Sequence, residues 1–135
     1  MTLLVDASVW AQLGEPGGSE HLPTRELLIE SRASVAALDL TLFEVANAVG
    51  VKMGQPQRAR WLSELVETRC GERIVRVDPT LVASAIEVAG KHGLTAYDAA
   101  YVAASRQSGW QLVSLDVRDL VSKGLAVTPD DADYP

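Results

Sequence analysis

The sequence predicts an α/β fold in which a mostly parallel sheet of four or five strands is layered between helices, and three observations point there. Short apolar runs alternate with helix-length amphipathic segments, the pattern of strands joined by helical crossovers. The run Leu3-Leu4-Val5 is apolar at consecutive positions, as a strand buried on both faces of a parallel sheet is. Two of the runs end on an acid, Asp6 after the first and Asp116 after Gln111-Leu112-Val113-Ser114-Leu115.

After the first strand, Ser8 to Leu13 is expected as a short helix and Glu15-Pro16-Gly17-Gly18-Ser19 as a loop. A second helix carries Leu22, Leu27, Leu28 and Ile29, with Pro23 in its first turn. Ser34 to Leu38 is the second strand, followed by a helix from Leu42 to about Met53. Gly54-Gln55-Pro56 separates it from a helix over Gln57 to Arg69, where Trp61, Leu62, Leu65 and Val66 form an apolar stripe. Ile74 to Val77 is the third strand. Asp78-Pro79 then supplies an N-cap residue and a first-turn proline, for a helix that stops at Gly93. A helix from Ala96 to Ser108, the strand at 111–115, a short helix from Val117 to Lys123 and a last strand around Leu125-Ala126-Val127 complete the order.

A chain of 135 residues with 47% hydrophobic and 22% charged residues is long enough for one cored domain, assigned to residues 1–129, with 130–135 as a solvated, frayed acidic tail. Cys70 has no second cysteine to pair with, so a reducing compartment, the cytoplasm, is expected. The longest stretch without Asp, Glu, Lys or Arg is the nine residues Gln107 to Leu115, far short of the roughly 20 that span a bilayer. No basic n-region precedes the first apolar run, so no signal peptide is expected.

The net charge of −6 argues at first against a nucleic-acid partner. The placement of the acids decides otherwise. If Asp6, Glu44, Asp98, Asp116 and Asp119 belong to one metal site, the remainder carries −1, and setting aside Asp130, Asp131 and Asp133 leaves +2. Six basic residues (Lys52, Arg58, Arg60, Arg69, Arg73 and Arg76) against three acids between positions 52 and 76 make a modest basic face expected there.

No phosphate-cradling glycine loop, dinucleotide fingerprint or serine-hydrolase elbow is present. His21 and His92 lie apart and are expected to be structural. The remaining chemistry is acidic. Sites in open α/β sheets lie beyond the carboxyl ends of the strands, where Asp6 and Asp116 fall, and Glu44 and Asp98 occupy first turns of predicted helices that can meet the same edge. Four converging carboxylates repel and raise one another's pKa unless a cation neutralises them. A hard, oxygen-seeking ion, Mg²⁺ or Mn²⁺, fits.

Val5-Asp6-Ala7-Ser8, Glu44-Val45-Ala46-Asn47-Ala48, Thr95-Ala96-Tyr97-Asp98-Ala99-Ala100-Tyr101-Val102-Ala103 and Ser114-Leu115-Asp116-x-x-Asp119, in that order, resemble the motifs of PIN domains. The size and the Tyr-Asp-Ala-x-Tyr-x-Ala block resemble in particular the VapC-type toxins of bacterial toxin–antitoxin pairs. The resemblance implies a three-layer α/β/α fold and a Mg²⁺- or Mn²⁺-dependent endoribonuclease toxin. It also implies an RNA substrate, a small cognate antitoxin and a homodimer or a hetero-oligomer with that antitoxin. By position, Asp6, Glu44, Asp98 and Asp116 match the family's acidic quartet and Asp119 an additional acid. Ser8 and Ser114 stand where threonine is common, and Gly50-Val51-Lys52 lacks an arginine frequent at that place.

In such a site Asp6 and Asp116 are metal ligands, Asp98 completes the cage, Glu44 orients or deprotonates the attacking water, and Ser8 and Ser114 fix carboxylate rotamers. Plainer roles compete residue by residue. Thr41-x-x-Glu44 and Thr95-x-x-Asp98 both fit a capping pattern, and Asp119 fits a macrodipole partner. Asn47 is a site member or a packing residue. Tyr97 and Tyr101 are expected in the core, and Trp61 in helix packing or on a partner-facing surface. Two other functions remain open. A catalytically silent RNA- or protein-binding module would ignore Asp6→Asn. A phosphoryl-transfer domain would want an acid where Ala7 or Ser8 stands.

Overall fold

The computed structural model describes residues 1–135. Strands β1 (Thr2–Val5), β2 (Ser34–Leu38), β3 (Ile74–Val75) and β4 (Gln111–Val113) form one parallel sheet in the order β3-β2-β1-β4. From β1 the chain steps outward through β2 to β3, then returns to place β4 on the other side of β1. The direction of winding therefore reverses between β1 and β4, the place where open parallel sheets leave a crevice at their carboxyl ends.

Period-two alternation divides the sheet into two cores. Leu3, Val5, Val35, Ala37 and Val113 face one way, against the helices α1 (Ala7–Ala11), α2 (His21–Arg25, widening through Glu26–Glu30), α3 (Asp39–Val45, widening through Ala46–Lys52) and α4 (Pro56–Cys70). Leu4, Ala36, Leu38 and Leu112 face the other, against α5 (Pro79–His92) and α6 (Ala96–Ser108). Both faces are covered, so the three-layer expectation holds. Close approach sets the seam between α3 and α4, where a Cβ built on Gly50 would come within 3.1 Å of the Ala59 Cβ.

Local chemistry accounts for the helix ends. Asp78 accepts the Leu81 amide at 2.8 Å and α5 stops at Gly93, whose left-handed φ of +67° suits a residue without a Cβ. Thr95 caps α6, and Gly109 ends it in the same way. His21 Nδ1 lies 2.9 Å from the Gln12 carbonyl, and the His92 ring, at the end of α5, lies with its Nε2 3.5 Å from Arg106 Nη2.

Five expectations need correction. Strand β3 ends at Val75 because the Val77 amide turns away from the sheet to donate to Asp39 Oδ1 at 3.2 Å. Strand β4 ends at Val113 because the Leu115 amide is taken by Ser8 Oγ at 3.0 Å. The last expected strand contributes a single bridge, Val127 to Val113. The tail is not frayed: Ala132 and Tyr134 pack on the first core and the Asp133 amide donates to Gln111 Oε1 at 3.1 Å. Half of the expected basic face is spent on the fold, since Arg58, Arg69 and Arg73 donate to the carbonyls of Leu13, Leu28, Ala33, Val35 and Arg69.

No helix is long and apolar enough to cross a membrane. Leu4, fully buried between β2 and β4, anchors the second core. Leu4→Ala is expected to cost about 2–5 kcal/mol, whereas Leu22→Ala on the exposed side of α2 should stay within about 0.5 kcal/mol. Urea denaturation of the two variants and the parent checks this.

Candidate active site

The site is built at the reversal between β1 and β4. Asp6, the residue after β1, is 5% exposed and serves as N-cap of α1, its Oδ1 accepting from the Ser8 amide at 3.0 Å and from the Ser8 hydroxyl. Ser8 Oγ also accepts from the Leu115 amide at 3.0 Å, and Ser114 Oγ, 3.5 Å from Ser8 Oγ, accepts from the Asp116 amide at 3.0 Å. The two serines thus stitch the carboxyl end of β1 to that of β4. Asp116 in turn caps the wide helical turn Val117–Val121, its Oδ1 accepting the Asp119 amide at 3.0 Å.

From the other side, α6 contributes Asp98 in its first turn. Thr95 Oγ1 accepts the Asp98 amide at 3.2 Å, so the helix end is satisfied by the threonine and the Asp98 carboxylate is not needed there. The capping reading of Thr41 and Glu44 fails outright. Helix α3 begins at Asp39, which makes Thr41 its third residue, and the Thr41 hydroxyl reaches back to accept the Leu38 amide at 3.1 Å. The Glu44 carboxylate instead accepts a hydrogen bond from Tyr101 OH at 2.7 Å.

Carboxylate oxygens of Asp98, Asp116 and Asp119 all lie within 4.8 Å of one another. Asp119, for which a macrodipole role competed, therefore stands inside the acidic cluster. Glu44 and Asp6 border the three electrostatically. Burial raises the Asp98 pKa, and the charges of Asp116, Glu44 and Asp119 raise it further. Burial pushes Asp6 up to about 6, opposed by the Ser114 and Ser8 hydroxyls and the Val9 amide, with the Asp98 charge adding to the rise. Burial also raises Glu44, and the Tyr101 hydrogen bond opposes it. The one cation paired with the group is Arg118, 3.9 Å from Asp119 with its side chain 93% exposed, an ion pair of little worth.

Asp98, Asp116 and Asp119, gathered without a buried counter-charge and all bearing oxygen donors, form the donor set of a hard divalent cation, with Asp6 and Glu44 adding negative charge beside them. The residues present fit such an ion. Asn47 is exposed and lies outside the hydrogen-bond network of the acids. Tyr97, expected in the core, is 62% exposed, while Tyr101 is buried and reaches the site through its hydroxyl. The sequence reading missed Tyr101 and Thr41 as site residues. The available signal was the spacing of Asp98 and Tyr101, three apart and so on one face of α6.

An acid whose pKa is higher in the fold than in the unfolded chain binds its proton more tightly when folded, so its ionisation opposes folding as pH rises from the unfolded value to the folded one. For Asp6 that window runs from 3.8 to about 6. The penalty above it is roughly 3 kcal/mol in the metal-free protein. In EDTA, Asp6→Asn is expected to raise the melting temperature above about pH 7 and to leave it unchanged near pH 4, where the parent is also uncharged at this position. Thermal scans at the two pH values check the sign.

The PIN domain family model matches residues 3–122. Ribonuclease VapC3 of Pyrobaculum aerophilum is 35% identical over 135 residues, covering 96% of this chain and 100% of the relative. Among solved structures, VapC20 of Mycobacterium tuberculosis, a sarcin-ricin loop cleaving toxin, superimposes with a TM-score of 0.74 at 24% identity, covering 90% of this chain and 95% of that one. PAE2754 of Pyrobaculum aerophilum gives 0.68 at 27% identity over 96% and 93% of the two chains. FitAcB of Neisseria gonorrhoeae gives 0.68 at 19% identity over 96% and 99%. Sheet order, acidic crevice and these matches agree, and the chain belongs to the PIN domain family, in its VapC group.

Proposed function

We propose that this chain is a Mg²⁺- or Mn²⁺-dependent endoribonuclease, the toxin of a toxin–antitoxin pair, acting in the cytoplasm and restrained by a small cognate antitoxin. The observation that carries the reading is the convergence of oxygens from Asp98, Asp116 and Asp119 within 4.8 Å, beside Asp6 and Glu44. The full-length likeness to a ribonuclease supports the choice of RNA as substrate. Residues 1–129 carry the activity, with 130–135 as a short acidic tail.

Asp98, Asp116 and Asp119 would hold the ion, Asp119 taking the ligand place expected for Asp6, whose carboxylate is held by Ser8 and feels the Asp98 charge. When bound, a divalent cation neutralises charge building on the scissile phosphate and makes water a nucleophile near neutral pH. The protein's own groups supply placement. Ser8 holds the Asp6 carboxylate, and Ser114 holds the Asp116 backbone. Glu44, raised by burial, orients the attacking water and accepts its proton. The basic side chain beside the acids is that of Arg118, which is 93% exposed, lies 3.9 Å from Asp119 and is free to meet a phosphate of the RNA backbone.

The antitoxin lies across the acidic crevice. Phe43, Val51 and Trp61, 82%, 74% and 44% exposed on α3 and α4, supply apolar surface of the kind that protein partners cover. A second copy of the chain, or the antitoxin in a hetero-oligomer, meets this need.

Purified protein with Mg²⁺ or Mn²⁺ is expected to cut structured RNA, to stop in EDTA and to resume on adding metal back. Asp98→Asn should abolish cutting, and Glu44→Gln should lower kcat by roughly 100-fold or more. Gel analysis of a mixed RNA pool reads the first four results, and rates on a single cleaved RNA read the fifth. Inertness toward the whole pool with both metals would sink the proposal.

A further inference from the structure

A tyrosine whose ring merely fills a core needs no hydroxyl, and phenylalanine would spare the cost of burying one. Tyr101 is 2% exposed, yet its hydroxyl sits in a chain of three hydrogen bonds that crosses from α3 to α6 and back. The Leu38 amide meets Thr41 Oγ1 at 3.1 Å, Thr41 Oγ1 meets Tyr101 OH at 2.7 Å, and Tyr101 OH meets Glu44 Oε1 at 2.7 Å.

The two ends of this chain fix its direction. A backbone amide can only donate and an ionised carboxylate can only accept. Thr41 Oγ1 therefore accepts from Leu38 and gives its own proton to the Tyr101 oxygen, which leaves the Tyr101 proton for Glu44. Every donor and acceptor points one way, from the rigid end of β2 to one carboxylate oxygen. Chains polarised in this manner strengthen each member.

We propose that Tyr101, backed by Thr41, is a positioning residue that fixes the Glu44 carboxylate by its Oε1 atom and leaves Oε2 as the oxygen available to the attacking water. This rests on the nuclease reading for its effect on turnover, though not for the geometry itself. Burial and the Glu44 charge raise the Tyr101 phenol well above its ordinary pKa of 10, so it remains a donor wherever Glu44 is an acceptor. Only Glu44, among the five acids, is held by a side chain from a different layer of the fold. Asp116 accepts from an amide three residues away, and the groups that hold Asp6, from Ser8, Val9 and Ser114, lie at the same sheet edge as Asp6 itself.

A purely structural Tyr101 and a positioning one predict different results. In Tyr101→Phe, assayed at a temperature where circular dichroism shows it folded, positioning predicts that kcat on an RNA oligonucleotide falls roughly 10–100-fold. KM should stay within about twofold, because ground-state binding is untouched. Thr41→Val is expected to fall in the same direction and Thr41→Ser, which restores the hydroxyl, to recover. Crystal structures of the parent and Tyr101→Phe should show the Glu44 carboxylate displaced in the variant. Full kcat in folded Tyr101→Phe, or a Glu44 side chain that has not moved, overturns the proposal. If neither protein cuts RNA, the nuclease reading falls, and the position of Glu44 in the two crystal structures still decides this one.

Discussion

Burial of carboxylates at the carboxyl edge of the sheet, compounded at Asp98 by the charge of its neighbours, is the constraint to which the rest of this molecule answers. Asp98 feels three neighbouring acids, and Asp6 is buried far enough to hold its proton near pH 6. Such a cluster persists only where the groups bearing it cannot drift apart. Here the anchoring is largely local and backbone-based: Asp6 and Asp116 accept amides of the turns they begin, and two serine hydroxyls tie those turns together. Two cores, one per sheet face, then make the edge too stiff to relieve the strain by opening.

The strand order explains why the acids come from such distant parts of the chain. Because β4 returns to the side of β1 opposite β2, residues 6 and 116 emerge side by side although 110 positions separate them. Helix α6, on the second face, is needed to bring Asp98 over the crevice, and α3, on the first, to bring Glu44. Each layer contributes at least one acid, so the site reports the integrity of the entire sandwich.

Much of this was legible in the sequence, for identifiable reasons. Helices α5 and α6 were read to the residue because Asp78-Pro79 and Gly93, Thr95 and Gly109 are strong local signals at their ends. Asp6 was legible because it directly follows a wholly apolar run, and Glu44, Asp98 and Asp116 because their motifs stand in the order seen in PIN domains. Strand ends were less so. Val77 and Leu115 look like strand residues, and what removes them from the sheet is an Asp39 carboxylate and a Ser8 hydroxyl at sequence separations of 38 and 107. Likewise, no local pattern reveals that Arg69 and Arg73 spend their guanidiniums on backbone carbonyls, or that the Thr41 hydroxyl meets a tyrosine 60 residues away. Distance along the chain, more than chemical subtlety, set the limit.

The serine stitch between β1 and β4 has a consequence for timing during synthesis. The first acid emerges from the ribosome with the opening strand, but the crevice has no second wall until the β4 segment has emerged and docked beside β1. Asp116 and Asp119 lie within the last 20 residues of the chain, so the acidic crevice is complete only after nearly all of the chain has been made.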